Sequence, residues 1–155
     1  MPGGHLFPIS TYPVTAPRVF PYFLTAEMPE GLAYEASLGA DAIWRLFYRM
    51  PAVLPSGTCK LRLVCQANAT TGNAKLNPKW KSYGANEVPA AADLTAEGVQ
   101  TIAFATTAYR LTETTVNLDA DTPVAGELVM LDLVGETSSW TLAQILSVQA
   151  SIFWE

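Results

Sequence analysis

Thr58-Cys59-Lys60-Leu61-Arg62-Leu63-Val64-Cys65-Gln66-Ala67-Asn68-Ala69 alternates apolar and polar residues almost without fault. Two is the period of a β-strand, because successive side chains leave an extended backbone on opposite faces. The stretch therefore places Cys59, Leu61, Leu63, Cys65 and Ala67 on one face. The chain has no other cysteines. At a rise of ~3.3 Å per residue these two stand ~20 Å apart, whereas a disulfide needs Cα atoms within ~7 Å. The spacing predicts two buried, reduced thiols acting as small apolar residues, suited to folding in a reducing cytoplasm. No histidine or acid lies near either in sequence, so neither is expected to bind metal or act as a nucleophile.

The same period extends in both directions. Residues Ala42 to Arg49 put Leu46 and Tyr48, with Trp44, opposite Arg45 and Arg49. Pro55-Ser56-Gly57 reads as a turn, and Thr71-Gly72-Asn73 as a hairpin turn. Residues Ala74 to Tyr83 turn Leu76 and Trp80 inward and Lys75, Asn77, Lys79 and Lys81 outward. Pro78 marks that segment as an edge or bulged strand. Val99 to Phe104, Tyr109 to Leu118, Glu127 to Val134 and Ser147 to Trp154 complete the strands, while Trp140 to Leu146 fits either a strand or a helical turn. Asn86 to Glu97 is a loop with one helical turn at Pro89 to Asp93. Many short strands with Pro/Gly turns and almost no helix predict an all-β sandwich or small barrel.

Residues 1–31 differ in kind. Pro2, Pro8, Pro13, Pro17, Pro21 and Pro29 exclude helix and disfavour interior strands. The segment is nevertheless too aromatic for a solvated linker. It reads as an extended arm, packed over its own domain or reaching a neighbour, ahead of a β domain at 32–155. In the second case Phe7, Tyr12, Phe20, Tyr22 and Phe23 are the partner-binding residues, since aromatics supply interface hot spots. Deleting residues 1–23 is then expected to abolish neighbour binding and leave the domain folded.

The chain of 155 residues is 50% hydrophobic and 15% charged, against about 25% charged in an average soluble domain. Few charges remain to cover a monomer, so surface shared with other subunits is expected. A net charge of −5 and a pI near 4.8 oppose a general nucleic-acid binder. No apolar run reaches the ~18–20 residues of a membrane helix, and no secretory leader is expected from residues 1–10. The charges are segregated: Arg45, Arg49, Lys60, Arg62, Lys75, Lys79 and Lys81 share residues 42–86 with no acid, and the acids crowd beyond Glu87. Pairing of basic with acidic strands inside one molecule accounts for this. So does a charged interface that docks positive face to negative face.

Chemistry is hard to build from these residues. His5 is the sole histidine, which excludes a two-His metal site within one chain. No nucleophile elbow, P-loop or dinucleotide fingerprint is present. Asp119 with Asp121, and Asp132 with Glu136, are the candidate carboxylate pairs for glycoside chemistry. Asp119, Asp121 and Glu127 offer oxygen ligands of the type calcium takes, without the spacing of a known loop. Asp132 lies among apolar residues and is expected to need a partner such as an Arg. No catalytic residue, metal or cofactor is expected.

Two stretches carry a family resemblance. Ala42, Trp44, Phe47, Tyr48, Met50 and Pro51, followed by Leu54, Pro55, Gly57, Lys60, Leu61 and Leu63, resemble the opening of a viral jelly-roll domain. Residues Ala125 to Leu133, Trp140, Leu142 and Ile145 to Trp154 resemble its closing strands. Over about Glu35 to Glu155 the chain is similar to jelly-roll head-decoration (cement) proteins of tailed bacteriophages. The resemblance implies an eight-stranded jelly-roll sandwich, a homotrimer, and a non-enzymatic virion structural role on the capsid exterior. The protein would be made in the host cytoplasm and would bind the major capsid protein, with no direct nucleic-acid or membrane contact. The alternative is a carbohydrate- or receptor-binding jelly-roll module of a phage tail or fibre, for which Tyr83, Asn86 and Trp140 are the candidate glycan contacts.

Overall fold

Alternating burial builds two facing layers. In the computed structural model, which describes residues 10–13, 21–23, 32–36, 43–67, 70–136 and 145–155, Cys59, Leu61, Leu63, Cys65 and Ala67 are all buried and the residues between them are not. The strands are β1 (Ser10–Pro13), β2 (Pro21–Phe23), β3 (Leu32–Ala36), β4 (Ile43–Arg49), β5 (Cys59–Ala67), β6 (Asn73–Tyr83), β7 (Thr95–Ala96), β8 (Gln100–Ala103), β9 (Leu111–Asn117), β10 (Leu128–Gly135) and β11 (Ile145–Trp154). A 3₁₀ turn at Ala91–Asp93 precedes β7.

One antiparallel sheet runs β2-β3-β11-β5-β9, and the other runs β1-β4-β10-β6-β7 with β8 also on β6. Counted from β3 and leaving out the two-residue β7, the first, eighth, third and sixth strands (β3, β11, β5, β9) share one sheet. The second, seventh, fourth and fifth (β4, β10, β6, β8) share the other. That is jelly-roll order: an eight-stranded all-β sandwich, to which β1 and β2 add one strand at an edge of each sheet. The chain crosses between sheets at nearly every turn. Residues 71–73 therefore do not close the hairpin that the sequence predicts. They carry the chain from β5 in one sheet to β6 in the other, with Gly72 at φ +104°.

Facing side chains of the two sheets form the core. Leu46, Tyr48, Leu76, Trp80, Val129, Leu131 and Leu133 of one sheet meet Leu61, Leu63, Cys65, Ala150, Ile152 and Trp154 of the other. Each large apolar side chain buried here contributes about 1.5–3 kcal/mol. The Tyr48 hydroxyl crosses the sandwich and donates to the Ala150 carbonyl at 3.1 Å, so its burial leaves no orphaned donor. The same burial pushes the phenol well above its usual range.

Pro78 corrects the sequence reading: it sits in an interior strand. β6 is flanked by β10 on one side and by β7 and β8 on the other. Lys79 faces Ala96 and Leu76 faces Gln100, so three residues, 97–99, oppose Asn77 and Pro78. The irregularity lies in the neighbour, on the side where Pro78 lacks its N–H. A strand residue's N–H and C=O point the same way, and the Pro78 carbonyl accepts from the Glu97 N–H at 2.8 Å. The bulge turns the Glu97 carboxylate inward, where it accepts from Trp80 Nε1 at 2.6 Å and from the Ala120 N–H at 2.9 Å. At the turn expected before β5, Gly57 has φ +108°, and a Cβ there would stand 2.8 Å from the Glu155 carbonyl oxygen, so only glycine fits.

Candidate functional site

Odd-numbered residues of β6 leave the sandwich and lie on the outer face of the β4-β10-β6 layer. Register builds that face row by row. Phe47, Met130 and Lys81 stand side by side, then Arg45, Asp132 and Lys79, then Ile43, Val134 and Asn77. Met130 and Asp132 are buried although they point away from the core, because β10 is central and longer side chains on both neighbours flank it. Asp132 is held in a two-pronged grip: Arg45 Nε donates to Oδ1 and Nη2 to Oδ2, both at 2.8 Å. The partner anticipated for this carboxylate is thus an arginine, placed directly across the strand pair.

The seven basic residues of 42–86 do not form one surface. Arg45, Arg49, Lys75, Lys79 and Lys81 belong to this face. Lys60 and Arg62 belong to the outer face of the other sheet, where Lys60 pairs with Glu155 at 2.9 Å and Arg62 with Glu113. Arg49 donates to the Gly126 carbonyl at 3.2 Å. Much of the charge segregation is thus resolved by pairing across strands. Lys75, Lys79 and Lys81 have no ion-pair partner among the described residues. They project in line from β6, half-buried along their stems. Beside them on β7 and β8 stand Ala96, Thr101 and Ala103, small and exposed, with Gly98 in the bulge. The result is a line of donors above a low shelf. Asn77, within the line, donates from Nδ2 to Glu136 Oε1 at 3.2 Å, while its Oδ1 is buried with no partner.

The candidate glycan contacts fare differently. Tyr83 is 4% exposed. Its hydroxyl donates to the Ala90 carbonyl at 3.0 Å and accepts the Ala90 N–H at 3.3 Å, while Lys81 Nζ lies 5.3 Å from its ring centroid. The ring fastens the 84–90 loop and is not free to stack on a sugar, contrary to expectation. Asn86 is exposed at φ +72°. Trp140, His5, Phe7 and Phe20 lie outside the described residues. Tyr12 falls in β1, and Tyr22 and Phe23 in β2. One aromatic that sequence reading missed is Tyr109, 58% exposed at φ +66°. The alternation places it at the start of a strand. Instead it turns the chain into β9, its N–H donating to the Ala67 carbonyl and its own carbonyl accepting from Gln66 Nε2.

Three carboxylates of the catalytic and calcium readings, Asp121, Asp132 and Glu136, are engaged in structural contacts. Asp121 Oδ2 accepts the Ser82 N–H at 3.0 Å, Asp132 is gripped by Arg45, and Glu136 accepts from Asn77. Among the described residues no three acidic, cysteine or histidine groups converge as metal ligands. At one end of the sandwich the 50–58 and 118–127 loops meet. Met50 donates to the Glu127 carbonyl and Gly126 to the Pro51 carbonyl, both at 2.9 Å.

No protein-family model matches the chain, and no curated protein matches its sequence. Solved structures match its fold. The family 11 carbohydrate-binding module of the cellulosomal cellulase Lic26A-Cel5E of Clostridium thermocellum superposes with a TM-score of 0.52 at 10% identity, over 94% of this chain and 86% of that one. A family 11 module from the same organism, in complex with a β-1,3-1,4-mixed-linked tetrasaccharide, gives 0.50 at 11% identity, over 94% and 87%. The arabinose-bound α-L-arabinofuranosidase MgGH51 gives 0.51 at 12% identity, over 94% of this chain and 23% of that one. At these identities the likeness is one of fold.

Proposed function

We propose that the chain is a non-catalytic carbohydrate-binding module whose binding face is the outer surface of the β4-β10-β6 layer. The observation that carries this reading is the β6 line of Lys75, Asn77, Lys79 and Lys81 beside the low shelf of β7 and β8. A sugar chain offers hydroxyl and ring oxygens that ammonium and amide donors can pair with, and this line supplies such donors on an interior strand. The jelly-roll body supports the reading, being similar in fold to carbohydrate-binding modules, one of them in complex with a tetrasaccharide. Electrophoresis of the purified chain through native gels containing single polysaccharides tests it. Retardation by at least one polysaccharide, with no release of reducing sugar, is expected. Free migration through every gel overturns it.

A second reading, a capsid decoration protein, draws on the arm. β1 and β2 come from its proline-rich segment and pair at one edge of each sheet, and such edge strands are exchangeable between copies. Native mass separates the two: a trimer that adds to a capsid favours decoration, and a monomer retarded by polysaccharide favours the module.

A further inference from the structure

Resting on the carbohydrate-binding reading, we infer that the β6 line selects a linear acidic polysaccharide, one bearing a carboxylate or sulfate on successive sugar units. The first argument is charge left uncompensated. Arg45, Lys60 and Arg62 each sit on a carboxylate. Among the described residues Lys75, Lys79 and Lys81 do not, though acids stand next to two of them. Asp132 faces Lys79 across the strand pair but gives both oxygens to Arg45. Glu136, whose N–H donates to the Lys75 carbonyl at 3.1 Å, accepts from Asn77 instead. A row of three ammonium groups thus persists on a chain of net charge −5.

The second argument is spacing. Side chains two apart on a strand are ~6.6 Å apart, and Lys75 to Lys81 covers ~20 Å. Three point charges over that length suit an extended polymer carrying about one charge per repeat. Duplex DNA, with one charge per ~1.7 Å, is far denser. Single-stranded nucleic acid wants outward aromatics beside its phosphate contacts; Trp80 points into the core, Tyr83 is sealed by Ala90, and Phe47, the outward aromatic of this layer, stands on β4 with β10 between it and the lysines. The third argument is access. Ala96, Thr101 and Ala103 do not rise above the shelf, and nothing stands within 4 Å of where a Gly98 Cβ would be. Apart from the half-exposed Val99 of the bulge, the described residues of β7 and β8 that flank the lysines are small, and a chain laid along β6 reaches the lysine heads. Lysine suits the task, because an ammonium is a compact charge that does not demand one fixed acceptor geometry.

Titration calorimetry on the full chain tests this with polygalacturonate (carboxylate), chondroitin sulfate (sulfate), mixed-linked β-glucan (neutral) and single-stranded poly-dT. Polygalacturonate or chondroitin sulfate should bind, whichever anion the face prefers, and binding should weaken steeply with salt. The triple variant K75Q/K79Q/K81Q should lose about tenfold or more in affinity with an unchanged melting temperature. Neutral glucan bound equally by both proteins, with no acidic polymer bound, overturns the inference and leaves the module reading standing. Failure to bind any polysaccharide overturns both. Poly-dT bound as tightly as the acidic glycans also overturns it, since the row would then read charge alone.

Discussion

Cys59 and Cys65 sit in the sandwich core as their alternation demands, both free and buried. Burial pushes each thiol up to about 12, and the Glu97 carboxylate adds to the effect at Cys59. Only the thiolate is nucleophilic, so both should resist a thiol reagent at pH 8 in the native state and react at once in denaturant. The linkage to stability has a definite sign. Thiols in the unfolded chain titrate near 9.0, so that state releases its protons first as pH rises. Their contribution is complete below pH 9 and falls as pH climbs toward 12. Melting temperature measured from pH 7 to 10.5 should decline, and less steeply in Cys59→Ala/Cys65→Ala. Equal slopes would refute this. The fate of the cysteines was legible because it depends on period alone. That of Tyr83 was not, since the carbonyl that claims its hydroxyl belongs to a loop whose path no local pattern specifies.

β10 shows what an element adds. Its sequence, Leu128–Gly135, reads as a continuous apolar run interrupted by Asp132. The carboxylate is tolerated because the neighbouring strand brings Arg45 into register with it. Asp132→Ala should cost about 2–4 kcal/mol in denaturant unfolding, since it takes the two-pronged carboxylate from an arginine whose side chain is only 16% exposed. Arg45→Met/Asp132→Leu should recover most of that loss. A double variant no better than the single one would show that the pair is not the source. Strands β4, β5 and β6 were found from sequence within a residue or two. β3 was missed. Leu32–Ala36 is short and contains two alanines and a glutamate, residues of low strand preference, and it becomes a strand because β11 and β2 pair with it on either side.

At the scale of the molecule the arm matters most. β1 and β2 cover edges that β4 and β3 would otherwise present, and an unpaired edge is a template for association. Deleting residues 1–23 should therefore leave a β-rich chain that melts about 4 °C or more lower and self-associates with concentration in light scattering. A monomer of unchanged stability would show that the edge strands contribute nothing. The amino-acid sequence by itself determined the layers: which side chains face the core, that the cysteines stay apart, and that Lys75, Lys79 and Lys81 share one face. These follow from the two-residue period of an extended chain, which is local. Tertiary structure alone decided the strand order, the arginine that neutralises Asp132, the bulge opposite Pro78, and which cations remain unpaired. Each of these depends on strands distant in sequence meeting in a particular register, and that register is set by the packing of the two sheets together.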